Sequence, residues 1–189
     1  MNHPKISLIC CLLSVTVLAV TPTSLSAMKI IKKGDAVGVF YVMKIAGAEL
    51  DGVKSGQRLC YRCRYGTRPM VMIFARRTGK PLSELVQLLD QTISDNQQTK
   101  LKGLVTLLGQ DLEELKETAN RLAESANVSE VPIAIASEQG VRANQYQLPE
   151  EADVTIVIAK DSRVLHTLTF DADEIDLMAV SQEIQQILR

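Results

Sequence analysis

The sequence predicts an α/β fold with a mixed sheet and helices on both faces, on three observations. Short apolar runs rich in β-branched residues alternate with segments of helical periodicity over residues 69–136, the pattern of a parallel sheet with crossover helices. Two further apolar runs, residues 154–159 and 164–170, are separated by the four residues Lys160-Asp161-Ser162-Arg163 and read as a hairpin that adds antiparallel strands. The length suits one core: about 160 residues remain beyond an N-terminal leader, enough for one ordinary domain and too few for two.

The leader is residues 1–27, read as an export signal. Lys5 supplies a positive start, residues 6–20 are apolar, and residues 21–27 offer small side chains for cleavage after Ser26, with Ser24 at the −3 position. The apolar run falls short of the roughly 20 residues a membrane helix needs. Ile9 before Cys10 argues against a lipoprotein. Residues 28–189 are then a single domain outside the cytoplasm, in the periplasm or beyond the cell. Cys10 and Cys11 leave with the signal, so Cys60 and Cys63 meet an oxidising compartment where a disulfide can persist.

The elements follow in order. Residues 37–45 (VGVFYVMKI) read as a strand between Gly34-Asp35 and Gly47, and residues 48–68 as a polar, basic loop. Residues 69–75 (PMVMIFA) read as a strand buried on both faces. Pro81 can open a helix, with Leu82, Leu85, Val86, Leu88, Leu89 and Ile93 at helical spacing. Residues 101–108 form a second apolar strand, and Asp111 with Glu114 makes a capping box for a helix buried through Leu112, Leu115, Ala119, Leu122, Ala123 and Ala126. Residues 131–136 are a third short strand, and residues 137–151 read as polar loop with Tyr146 and Leu148 as anchors. After the hairpin, Asp173 opens a last helix whose apolar side is Ile175, Leu177, Met178, Val180, Ile184 and Ile187.

This order resembles the thioredoxin-like superfamily, on its peroxiredoxin side, over about residues 34–189. The likeness rests on Gly34-Asp35 leading into an early strand, on PMVMIFA followed at once by a helix, on the late pair VTIVIAKDSRVLHTLTF, and on the extra strand VPIAIA with its polar sequel. The resemblance implies a three-layer sandwich. It does not carry over an active site. Where a thioredoxin has its cysteine pair, after the first core strand, this chain reads Arg76-Arg77-Thr78-Gly79. Peroxidase chemistry by the usual route therefore lacks its cysteine. The place of the family's cis-proline reads Glu151-Ala152-Asp153, and Pro132 precedes an earlier strand.

The cysteine pair is instead displaced to Cys60-Tyr61-Arg62-Cys63, before the core strand. Four readings stay open. The first is a redox pair, in which a thiolate attacks a disulfide sulfur and the second cysteine resolves the mixed disulfide. Arg62 and Arg64, with Arg58 and Arg68, supply cations that favour thiolates, although the residues read as loop give no helix N-terminus to help. The others are a structural disulfide in a scaffold or binding protein, half of a metal site shared across a dimer, and an idle pair. Tyr61 and Tyr65 either shield a partner or pack the loop onto the sheet.

Arg76 and Arg77 are candidates to bind an anion at a helix start. His166 reads as an ordinary strand histidine, and Asp171, Asp173, Glu174 and Asp176 as helix-start acids or, more sharply, a calcium site. Asn127-Val128-Ser129 matches a glycosylation sequon. No cofactor is implied. Residues 28–80 carry 12 Lys/Arg against 3 Asp/Glu, and residues 81–189 carry 8 against 19. That split fits an acidic partner or membrane surface, or two oppositely charged faces that attract each other within one fold. Few aromatics and no binding motif argue against nucleic acid. A protein thiol or disulfide is the partner the redox reading implies.

Overall fold

The computed structural model describes residues 30–142 and 146–189. The signal read at residues 1–27, with Cys10 and Cys11, lies outside the described residues. Seven strands and five helices follow one another in the described chain: β1 (Val42–Ala46), β2 (Arg58–Leu59), α1 (Tyr61–Tyr65), β3 (Met70–Ala75), α2 (Lys80–Asp95), β4 (Lys102–Leu108), α3 (Leu112–Ala126), β5 (Ile133–Ala136), α4 (Glu138–Arg142), β6 (Val154–Lys160), β7 (Arg163–Phe170) and α5 (Leu177–Leu188). They build one mixed sheet in the order β2-β1-β5-β4-β3-β6-β7. The strands β3, β4 and β5 run parallel, β6 and β7 close the sheet antiparallel on one side, and β1 pairs antiparallel with β5 on the other.

Alternation along β3 divides the core. Val71, Ile73 and Ala75 face the buried sides of α2, α3 and α5. Met70, Met72 and Phe74 face the opposite layer. That layer holds two single-turn helices, α1 through Tyr61 and Tyr65 and α4 through Val141, together with Tyr146 and Leu148. An N-terminal strap completes it. The strap binds β7 through Gly34 N–H to Val164 O (2.8 Å), buries Ile31, Val37 and Phe40, and delivers the chain to β1. Phe40, Phe74 and Tyr146 form a three-ring cluster with centroids 4.8 to 5.5 Å apart. Helices thus cover both faces, three long ones on one side and two short ones on the other. Among the described residues no helix is long and apolar enough to cross a membrane.

The sequence expectations shift at several places: residues 137–151, read as loop, contain α4, and Leu112 and Met178, expected on apolar helix sides that face the core, are exposed at helix starts. The strand expected from residue 37 is continuous only from Val42: Ala36 makes an isolated antiparallel bridge to Arg163 at the β7 edge, and the chain then crosses the sheet face through buried Val37 and Phe40 to reach β1. The basic loop at residues 48–68 contains a 3₁₀ turn at Glu49–Asp51, β2 and α1. The final helix is capped by Asp176, whose side chain accepts from Met178 and Ala179 N–H, and not by Asp173. The hairpin is as expected, with Asp161 and Ser162 both at positive φ (52° and 61°), the left-handed pair that a two-residue turn uses to follow strand twist.

Gly47 ends β1 at φ +70°, and a Cβ there would run into the carbonyl oxygen of Val131. Gly47→Ala combines a left-handed penalty with a backbone collision. It is expected to cost at least about 2 kcal/mol, or roughly 4–8 °C in Tm by calorimetry.

Candidate redox site

Cys60 leaves β2 and serves as the N-cap of α1, with extended backbone (φ −105°, ψ 101°). Its sulfur accepts the N–H of Cys63 at 3.1 Å. The two cysteines form a disulfide with Cα atoms 5.3 Å apart. The missing helix N-terminus of the sequence reading is therefore corrected: the pair does sit at one. A five-residue helix is too short to show periodicity, but Tyr61 and Tyr65 at i and i+4 lie on one face. Both are buried, at 1% and 8% exposure, and their rings stand 5.6 Å apart. They pack α1 onto the sheet.

Burial separates the two sulfur-bearing residues. Cys60 is buried, at 7% exposure, whereas Cys63 is exposed. The helix that orients them is pinned from below. Tyr65 Oη donates to Gly103 O at 2.6 Å, and Tyr61 Oη donates to Asp51 Oδ2 at 2.6 Å. Burial, and for Tyr61 next the Asp51 carboxylate, push both phenols well above their ordinary range, so they remain donors. Arg64 donates to Asp51 O at 2.8 Å, and Arg62 Nε donates to Val37 O at 3.0 Å, tying α1 to the strap. The two proposed thiolate-tuning arginines thus hold backbone carbonyls while their charge stays on the helix that carries the disulfide.

Beneath α1 lies a group the sequence reading missed. Lys44 of β1 is buried at 3% exposure. Its ammonium donates to Asp51 Oδ1 (2.8 Å), Ala48 O (2.8 Å) and Val53 O (2.9 Å), which satisfies all three of its protons. A lone lysine sharing the inward side of a strand with Val42 was the available sign, since a buried charge needs a counter-ion. Burial works against the charge on Asp51. Hydrogen bonds from Lys44, Tyr61 and Val53 N–H, with the Lys44 charge, outweigh it and hold the carboxyl below its ordinary value.

A carboxyl with a depressed folded pKa contributes its stability in full above the unfolded value, about 3.9. It loses that contribution as pH falls through the lower, folded value. Thermal stability, read as Tm, is expected to fall below about pH 4, and Asp51→Asn should flatten part of that acid limb.

The usual family corner is occupied differently. Arg76 Nε pairs with Glu138 Oε1 at 2.5 Å, and its NH1 donates to Pro149 O (2.8 Å) and Ala152 O (2.6 Å). Its guanidinium clasps α4 and the chain before β6, with its donors turned toward protein. Arg77 is largely exposed and bonds Asp153 (2.8 Å), with Asp173 at 3.7 Å. In sheet order, β2 stands four places from β3, roughly 19 Å at about 4.8 Å per strand. The structure therefore does not bring the cysteine pair and this corner together. Their separation runs across the sheet, not only along PMVMIFA.

The remaining candidates have structural roles. His166 Nδ1 meets Glu183 at 3.0 Å, joining β7 to α5. The acids before the last helix follow the helix-start reading at Asp176, which caps α5, while Asp173 faces Arg77. Among the described residues no group of three or more His, Cys, Asp or Glu gathers to hold a metal ion. Asn127 of the sequon is the left-handed C-cap of α3 (φ 49°).

Solved structures share this architecture. Mycobacterium tuberculosis AhpC superposes with a TM-score of 0.63 at 8% identity, over 85% of this chain and 100% of that one. A secreted Mycobacterium tuberculosis disulfide oxidoreductase homologous to E. coli DsbE superposes with 0.57 at 11%, over 78% and 95%. A yeast mitochondrial 1-Cys peroxiredoxin superposes with 0.59 at 10%, over 84% and 75%. No protein-family model and no curated protein sequence matches the chain. The seven-stranded mixed sheet, its two covered faces and these superpositions together show that the chain has the thioredoxin-like fold.

Proposed function

We propose that this is an exported thiol–disulfide oxidoreductase whose working pair is Cys60 and Cys63. The observation that carries the reading is the unequal burial of the pair: the exposed member is Cys63, and the buried member is a helix N-cap. An incoming protein thiolate attacks Cys63 Sγ. A bond forms between the substrate sulfur and Cys63, the Cys60–Cys63 bond breaks, and its electron pair leaves on Cys60 Sγ. That leaving thiolate is favoured by the Cys63 N–H it already accepts and by the start of α1. A second substrate thiolate then displaces Cys63. The substrate dithiol is oxidised to a disulfide and the pair is reduced to two thiols, with the two thiol protons released to solvent or taken up by the cysteines.

Support comes from the fold, from solved neighbours that include a disulfide oxidoreductase, and from the export signal read at residues 1–27, with residues 28–189 as the single working domain. The competing reading is a binding or scaffold protein in which the disulfide only staples α1, which the burial of Tyr61 and Tyr65 favours. Oxidised protein mixed with a reduced, unfolded dithiol protein decides between them. The enzyme reading expects substrate disulfides and free Cys60 and Cys63 to appear in equal amounts. No thiol release, or turnover equal to that of a Cys60→Ser, Cys63→Ser double variant, sinks it.

The same reading requires the fold to survive reduction. The closed loop is only four residues, so the chain model gives the disulfide about 2 kcal/mol. Reduction is expected to lower Tm by no more than roughly 8 °C, measured with and without reductant.

A further inference from the structure

We infer that the protein substrates of this pair present their thiols on acidic segments, which dock along a cationic groove beside α1; this rests on the oxidoreductase reading above. Arg58, Arg64 and Arg68 are exposed and Lys102 is half-buried. Among the described residues none of these four has a carboxylate within salt-bridge distance, whereas Arg76, Arg77, Lys80, Lys116 and Arg121 all do. The basic excess of the N-terminal part is therefore not neutralised within the described fold where it adjoins the cysteines. Two carboxylates border the groove: Asp51, already engaged by Lys44 and Tyr61, and exposed Glu130.

The charges line a shaped surface. A cleft of about 410 Å³ is bounded by Tyr61, Arg64, Tyr65, Arg68 and Lys102, with Asp51 at its floor. A second cleft of about 390 Å³ continues from Arg68 and Lys102 to Lys100, with Glu130 at its far side. A substrate chain running from Lys100 to α1 passes Lys100, Lys102 and Arg68 and ends at Arg64 on the helix itself. That helix is only about 8 Å long at 1.5 Å per residue. Cys63 lines neither cleft and is exposed on α1 beside Arg64, so a thiol just beyond the acidic segment reaches it by rounding the helix. A cleft lined by one sign of charge raises the encounter rate of the opposite sign by about tenfold or more.

The test uses three reduced probes against the oxidised full chain: an acidic dithiol peptide, a basic peptide of equal length, and dithiothreitol. The acidic peptide is expected to react at least about tenfold faster than the basic one at low salt, with the ratio collapsing near 1 M salt, where the Debye length is about 3 Å. The ratio should fall toward one in an Arg68→Glu, Lys102→Glu variant. Equal peptide rates at low salt overturn the docking inference and leave the oxidoreductase reading standing. Reaction with dithiothreitol but with neither peptide overturns both. Equal peptide rates together with binding to phosphatidylglycerol vesicles, lost in the same variant, overturn the peptide in favour of a lipid surface.

Discussion

Cys60→Ser is expected to leave the protein covalently caught on its partners through Cys63, whereas Cys63→Ser is not. In the first variant the exposed Cys63 thiolate attacks a partner disulfide and forms a mixed disulfide. Cys60, the sulfur that would release it, is gone. In the second variant the remaining thiol is Cys60, buried at 7% exposure under the start of α1. It meets a partner only when the corner opens. With glutathione disulfide as the probe, the adduct should form about tenfold or more faster on Cys60→Ser than on Cys63→Ser, read by intact mass. The polarity is the reverse of the order in which the residues occur at the helix: the N-cap sulfur is the buried, resolving one. Equal trapping in the two variants would remove the basis for assigning these roles.

Asp51→Ala is expected to be the most damaging single change near the site. It leaves the Lys44 ammonium buried, with two carbonyls and no counter-ion, and strips Tyr61 Oη and Val53 N–H of their acceptor. Removing one partner of a buried pair costs about 3–5 kcal/mol. Asp51 is itself one-fifth exposed, so the lower end, about 3 kcal/mol, is expected, a Tm loss of roughly 6–12 °C. A Lys44→Met, Asp51→Ala double variant should recover part of that loss, because it removes the stranded charge. A single variant that melts within about 1 °C of the parent would show that the network carries little of the stability.

Much of the frame was readable from pattern alone. PMVMIFA is a strand buried on both faces because β3 is central, and Pro81 stands in the first turn of α2 as proline chemistry requires. The site was less readable, for physical reasons. α1 spans one turn, so its only sign was the Tyr61–Tyr65 spacing. The Lys44–Asp51 pair depends on the backbone reversing through Ala48 (φ 42°) and Gly52 (φ 75°), which bring Asp51 back under β1. Arg76 meets partners more than 60 positions away, at Glu138, Pro149 and Ala152, which no local pattern announces. The opposite charges of the two halves do attract at Arg76 and Arg77, yet the cations next to the cysteines stay unpaired among the described residues.

The corner that carries the disulfide joins the sheet through β5, and the Met43–Ile135 pairing closes a loop on the order of 90 residues. During synthesis the cysteines emerge long before the strand that will seat them. Until then they form an open tetrapeptide in which the burial that separates the two sulfurs in the fold has not yet been imposed. The polarity between them is a property of the finished molecule, imposed when β1 finds β5. Conversely, an excursion that lifts β1, β2 and α1 away as one unit would bare Cys60 while the β3–β4–β6 centre stays paired, and would return the pair for a moment to its symmetric, nascent chemistry.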